Sequence, residues 1–353
     1  MILDCHCHII PAGMLTDAVP ERWRPVLRLE DGRPVVSFQG RRLTSVTGEF
    51  TDVSVMLEQA AAAGVSHLLL SPWILLVPVA ADDADAVRIC RVQNESLTLA
   101  AQQSGGRVFG LGVVPLQDPG LAAAELTALM ALPGMRGVEV PASVAGSYLG
   151  EDRFTPFWEA AAGTGAVVFV HPTTTGIGAS ALNGHYLWNS VGNPLETAIA
   201  AAQLVATGVL DRHQGLTVLL AHGGGALLAL RGRLRRAYAV RPEARSGAAS
   251  DPDALLRRLY FDSLTHDRAL LADLVAYAGP ERVLLGSDRP FDMGSDHPVD
   301  DIRALRLSQA DEQLLLGGNA ERLLERREDH ARQSRRDNNE LEVPGDGYSH
   351  LRP

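Results

Sequence analysis

One alternation governs what this chain can fold into: eight short runs rich in Leu, Val and Ile, each followed by a longer segment with helical spacing. The strand-like runs lie at 2–8, 65–71, 108–114, 135–140, 166–171, 216–222, 259–262 and 283–287. The helical segments lie at 52–63, 83–103, 119–131, 154–163, 194–209, 225–238, 267–278 and 299–307. Continuous apolar strands alternating with helices predict a parallel sheet buried on both faces. Eight pairs match the count of a (β/α)8 TIM-type barrel; periodicity alone leaves a doubly wound sheet as the competitor. Two segments exceed a minimal barrel. Residues 12–50, with Pro, Gly and several Arg, read as an insertion over the mouth, and residues 326–353 read as a polar, charge-mixed tail.

Composition removes several functions. All 32 basic residues are Arg, so no Schiff-base lysine, Walker phosphate lysine or carbamylated metal-bridging lysine exists. A net charge of −10 gives no sequence-wide attraction to nucleic acid or anionic lipid. Cys5, Cys7 and Cys90 are too few for a disulfide framework, and no signal run or membrane-length apolar stretch is present, so a soluble cytoplasmic protein is expected.

The chemistry gathers at strand ends. Asp4-Cys5-His6-Cys7-His8 closes the first strand, His171 the fifth and His222 the sixth, and Asp288 follows the eighth. Alternation places His6 and His8 on one face and Cys5 and Cys7 on the other. In a barrel these ends meet at the C-terminal mouth, where such enzymes keep their active sites. A lone strand-end His is usually structural; several imidazoles with one carboxylate at one mouth suit Zn2+ or another divalent first-row metal. His6, His8, His171 and Asp288 are the candidate ligands. The remaining histidines read as structural or surface residues, with His185 the one to follow.

Four motifs carry a resemblance: D-x-H-x-H at 4–8, V-H-P at 170–172, A-H-G-G-G at 221–225 and L-G-S-D-x-P-F at 285–291. Together they resemble the amidohydrolase superfamily, in particular its branch of 2-amino-3-carboxymuconate-6-semialdehyde decarboxylase and related aromatic-acid decarboxylases. The resemblance runs over residues 1–325 and implies a barrel holding one divalent ion, Zn2+ first and Mn2+ second. It implies that His6, His8, His171 and Asp288 hold the ion with a water, and that His222 serves as acid–base or polarising residue beside it. Asp288 would also deliver a proton to the carbon that loses CO2.

Arginines supply bidentate carboxylate recognition. Arg42 in the mouth insertion occupies a place similar to the family's substrate arginine. Arg241, nineteen residues after His222, is similar to an arginine that reaches a neighbouring subunit's site, which implies a homodimer. Six arginines between Arg231 and Arg245 also fit an interface helix. Two departures from the branch point to a different substrate. Arg289 follows Asp288 where relatives carry an aromatic; it is expected to depress the Asp288 pKa and to favour an extra acidic group. Thr173 follows Pro172 where an aromatic wall is usual, a role open to Tyr186 or Trp188.

Other patterns fail on context. Gly176-x-Gly178-x-x-Ala181 mimics a dinucleotide fingerprint but is not tight against a strand. The glycines after His222 lack the G-x-S-x-G elbow of an esterase. Glu139 on the fourth strand keeps a two-metal site open as a bridging carboxylate. The expected activity is non-oxidative decarboxylation of a small unsaturated or aromatic carboxylic acid. The rivals are a metal-dependent hydrolase of a C–N bond, lactone or ester, and a non-catalytic barrel.

Overall fold

Eight parallel strands pair in sequence order. They are β1 (Leu3–Ile9), β2 (His67–Pro72), β3 (Val108–Gly112), β4 (Met135–Pro141), β5 (Val167–His171), β6 (Thr217–Leu220), β7 (Tyr260–Asp262) and β8 (Val283–Leu284). The chain leaving β8 closes the ring onto β1: Cys5 N–H donates to Leu285 O at 2.8 Å, and Asp288 N–H to His6 O at 2.7 Å. The result is a barrel, and the doubly wound alternative falls. This computed structural model describes residues 1–325 apart from Thr174 and Ser246. The expected tail at 326–353 lies outside the described residues.

The helices wrap the barrel where their spacing predicts. They are α1 (Val53–Ala62), α2 (Asp83–Gln103), α3 (Pro119–Met130), α4 (Thr155–Thr164), α5 (Asn193–Ala206), α6 (Leu227–Val240), α7 (Arg268–Ala278) and α8 (Pro298–Arg303), with shorter turns between some of them. Their starts are chemically marked. The carboxylates of Asp52, Asp82, Asp118 and Asp267 accept the first free backbone N–H groups of α1, α2, α3 and α7. Among the described residues no helix is long and apolar enough to cross a membrane.

Two apolar layers separate along the strands. Leu3, Leu69, Leu111, Phe169, Leu219 and Leu284 fill the barrel interior, while Val138, Val140, Val168, Val170 and Val218 pack outward under the helices. Strict alternation breaks in β1, where a β-bulge shifts the register between Asp4 and Cys7. Cys5 therefore packs inside with Phe169, Cys7 packs outward, and the expectation that both thiols share a face is corrected. A third cluster underlies residues 12–50. There an antiparallel sheet of Val26–Glu30, Arg33–Phe38 and Arg41–Leu43 rests through Val36 and Phe38, alongside Trp23, on Trp73, Ile74 and Ile89.

β6 and β8 are shorter than their apolar runs because the chain turns sharply into the mouth. His222, Gly223, Gly224 and Gly225 all have φ between 57° and 77°, and Asp288 has φ 58°. Gly225 also presses on the start of α5, where a Cβ would collide with the Pro194 backbone. Gly225→Ala is therefore expected to destabilise the fold by about 1–3 kcal/mol through overpacking and strain. Gly232→Ala, inside α6 with open space around it, should instead stabilise by about 1 kcal/mol. Chemical denaturation of both variants reads the two opposite signs.

Candidate metal centre

The mouth of the barrel collects His6, His8, His171 and Asp288, all buried, with one ligand atom from each lying within 4.8 Å of the others. The bulge in β1 aims both of its histidines inward, and His171 is the last residue of β5. Asp4, the first member of the D-x-H-x-H motif, is a tie. Its carboxylate accepts the Ser287 hydroxyl, the Ser287 N–H at 3.0 Å and the His6 N–H at 3.1 Å, locking β1 to the turn that bears Asp288.

The orientation of the three rings decides what they can bind. His6 Nδ1 lies 2.6 Å from Asp262 Oδ2, His171 Nδ1 lies 2.9 Å from Pro172 O, and His8 Nδ1 lies 3.2 Å from Ser71 Oγ and 3.3 Å from Pro72 O. Each Nδ1 thus faces an oxygen, leaving each Nε2 as the lone-pair atom. His6 Nε2 and His8 Nε2 stand 3.1 Å apart, and Asp288 Oδ1 is 3.3 Å and 3.1 Å from them. His171 Nε2 and Asp288 Oδ1 are buried without a hydrogen-bond partner. Three ring nitrogens and a carboxylate oxygen crowded around one buried point are a set that a cation completes, and ring nitrogens anchored by oxygen partners are typical of metal ligands. The residues fit a divalent ion with nitrogen and oxygen ligands.

Taken with protein groups alone, the charges polarise strongly. Burial opposes the imidazolium of His6, yet Asp288 and Asp262 outweigh it and push its pKa up to about 10. Burial and the neighbouring His8, His222 and His6 hold His171 well below the usual range. Burial alone would raise Asp288, but the charge of His6 and the contact with His222 hold it well below the ordinary carboxylate range. Arg289 is not the cause. Its guanidinium donates to the carbonyls of Gln59, Ser295 and Asp296 and lies off the cavity wall, so the expectation of a substrate-facing Arg289 is corrected.

Above the cluster opens a cavity of about 860 Å3. His222 and Asp288 line it, with His222 Nε2 3.4 Å from Asp288 Oδ2 and His222 Nδ1 buried without a partner. Arg41 and Arg42 reach it from the insertion, and Arg42 also pairs with Glu30. Trp73, Phe291, Tyr186 and Trp188 supply aromatic walls. His185 is exposed and lies off the wall, and Arg241 pairs with Glu243 on an exposed surface. Glu139 stays outside the ligand group. Its nearest approach is 3.6 Å to His8 Nδ1, and burial pushes its carboxyl well above the usual range.

Residues missed by sequence reasoning are Arg41, the asparagines 183, 189 and 193 on the cavity wall, and Asp262. Only Asp262 left a signal, a carboxylate closing a barrel strand at the level of His222.

The amidohydrolase family model matches residues 3–326, and the chain belongs to that family. It is 26% identical over 323 residues to the 2-amino-3-carboxymuconate-6-semialdehyde decarboxylase of Dictyostelium discoideum, covering 90% of each chain. Over 241 residues it is 29% identical to the gamma-resorcylate decarboxylase of Rhodococcus jostii (strain RHA1), covering 64% of this chain and 73% of that one. Among solved structures, a dihydroxybenzoic acid decarboxylase from Polaromonas sp. JS666, with bound manganese and 2-nitroresorcinol, shares the fold. Its TM-score is 0.74 at 23% identity, over 92% of this chain and 96% of that one.

If the cluster binds a cation, adding Zn2+ or Mn2+ to metal-stripped protein at a hundredfold excess over Kd raises stability by about 2.7 kcal/mol. Thermal melts should show that gain in the wild type and none in the His6→Ala/His8→Ala double variant.

Proposed function

We propose that this chain is a metal-dependent non-oxidative decarboxylase, a carbon–carbon lyase acting on an unsaturated or aromatic carboxylic acid. The observation that carries the reading is the convergence of three Nε2 lone pairs and an Asp288 oxygen at the floor of a cavity whose rim bears arginine. The decarboxylase names of the relatives support the same reaction class.

His6, His8, His171 and Asp288 hold one divalent ion, Zn2+ in first place and Mn2+ in second. When bound, that ion supplies Lewis acidity toward substrate oxygens and a sink for developing charge. Arg42, with Arg41 beside it, orients the acid by pairing with its anionic groups, and the aromatic walls exclude water from the unsaturated part. His222 and Asp288 form the proton-handling pair: a proton held at His222 Nε2 passes to Asp288 Oδ2 and on to the carbon losing its carboxylate. The C–C bond breaks, its electron pair stays on that carbon and takes the proton, and CO2 leaves. The protein works as a cytoplasmic homodimer in which Arg241 serves the partner's cavity. The hydrolase alternative through a second metal gains no support, because Glu139 stands outside the ligand group.

The reading is tested by counting metal per chain and measuring CO2 release from hydroxylated benzoates and unsaturated dicarboxylates. One metal per chain and CO2 release are expected, with kcat reduced about 10²–10⁴-fold in His222→Asn. Mixing Arg241→Ala with the His6→Ala/His8→Ala variant should restore part of the activity if cavities are shared. Two metals per chain, or ester and amide hydrolysis without CO2, would overturn the decarboxylase assignment.

A further inference from the structure

Asp262 is fully buried at the end of β7, and four donors converge on its two carboxylate oxygens. Oδ2 meets His6 Nδ1 at 2.6 Å and the His222 N–H at 2.8 Å. Oδ1 accepts the Gly223 N–H at 2.7 Å and the Leu264 N–H at 3.0 Å. Only a carboxylate accepts at both ends. An amide of the same shape must turn its NH2 toward one pair of donors, whichever way it is flipped.

We propose that Asp262 is a positioning residue that couples the metal centre to the acid–base residue. By accepting a hydrogen bond from the His6 Nδ1–H it fixes the tautomer and tilt that leave Nε2 free toward the ion. Through the same oxygen it holds the His222 backbone at φ 57°, a conformation that a residue with a side chain seldom adopts. The ligand ring of His6 and the backbone that carries the His222 ring thereby share one anchor. The inference rests on the reading of the cluster as a metal centre.

An Asn at this position is the informative change. Turned one way, its NH2 faces His6 and forces the proton onto Nε2, removing a ligand lone pair; turned the other way, it opposes Gly223 and Leu264 and releases the His222 turn. The experiment titrates Zn2+ into metal-stripped wild type, Asp262→Asn, His6→Ala and the double variant against a chromogenic chelator. Asp262→Asn is expected to weaken Zn2+ binding 10–100-fold. In the His6→Ala background the same change should add little, because its route to the metal is already gone. Losses that multiply fully in the double variant, or an Asp262→Asn variant with both wild-type Zn2+ affinity and an unshifted His222 amide resonance, would overturn the coupling.

Should Asp262→Asn fail to fold, nitrogen NMR of the Zn2+-loaded wild type tests the same claim. His6 must carry its proton on Nδ1, and a proton on Nε2 would sink the idea. The two readings fail differently. A wild type that binds no Zn2+ overturns both, whereas an Asp262→Asn variant that keeps both wild-type affinity and the His222 amide resonance overturns only the role of Asp262.

Discussion

Much of the architecture around the mouth answers to three imidazoles whose Nδ1 atoms face oxygen partners. With Asp262, Pro172, Ser71 and Pro72 on the Nδ1 side, the Nε2 lone pairs of His6, His8 and His171 have nowhere to point but toward one another and toward Asp288. In a buried site that arrangement is costly until a cation completes it. The strands are shaped to meet the demand. The bulge in β1 breaks the alternation so that His6 and His8 both face the axis, and the turn after β8 brings Asp288 back onto the His6 carbonyl.

The rim above the cluster is built by different means. Strands of the inserted sheet carry Arg41 and Arg42 to the cavity from the far side of a separate apolar cluster, so the rim is seated on Trp73 and Ile74 rather than on the barrel interior. Thr173 follows Pro172 on the cavity wall, and Tyr186, Trp188 and Phe291 line the same cavity. With Trp73, they make an aromatic surface drawn from three separate stretches of chain.

The barrel and its floor were legible because both are periodic or positional signals. Apolar runs spaced by helices give eight strands in order, and strand ends in a barrel share one mouth, so His6, His8, His171, His222 and Asp288 could be gathered from the sequence alone. What could not be read depended on local backbone geometry. The bulge separating Cys5 from Cys7 follows from register with β2, which no pattern within β1 reveals. The direction of Arg289 was equally hidden. The residue sits beside Asp288 in sequence, yet three carbonyl acceptors, Gln59 in α1 and Ser295 and Asp296 further along the chain, draw its guanidinium away. Asp262 looked like an ordinary strand end, because its four donors come from three separate stretches of chain.

The two groups assigned to proton handling share a backbone state. His222 and Asp288 both stand in the left-handed region, at φ 57° and 58°. Each such residue costs about 1–3 kcal/mol and persists only where surrounding contacts over-determine it. Here those contacts are identifiable. Asp262 holds the His222 N–H, the His6 carbonyl holds the Asp288 N–H, and Asp4 fixes Ser287 just before it. All three anchors belong to β1 or touch it through His6. The strand that presents two of the ligands thus also pins the turns presenting His222 and Asp288, and the 3.4 Å separation between those side chains is set by the same backbone that sets the metal floor.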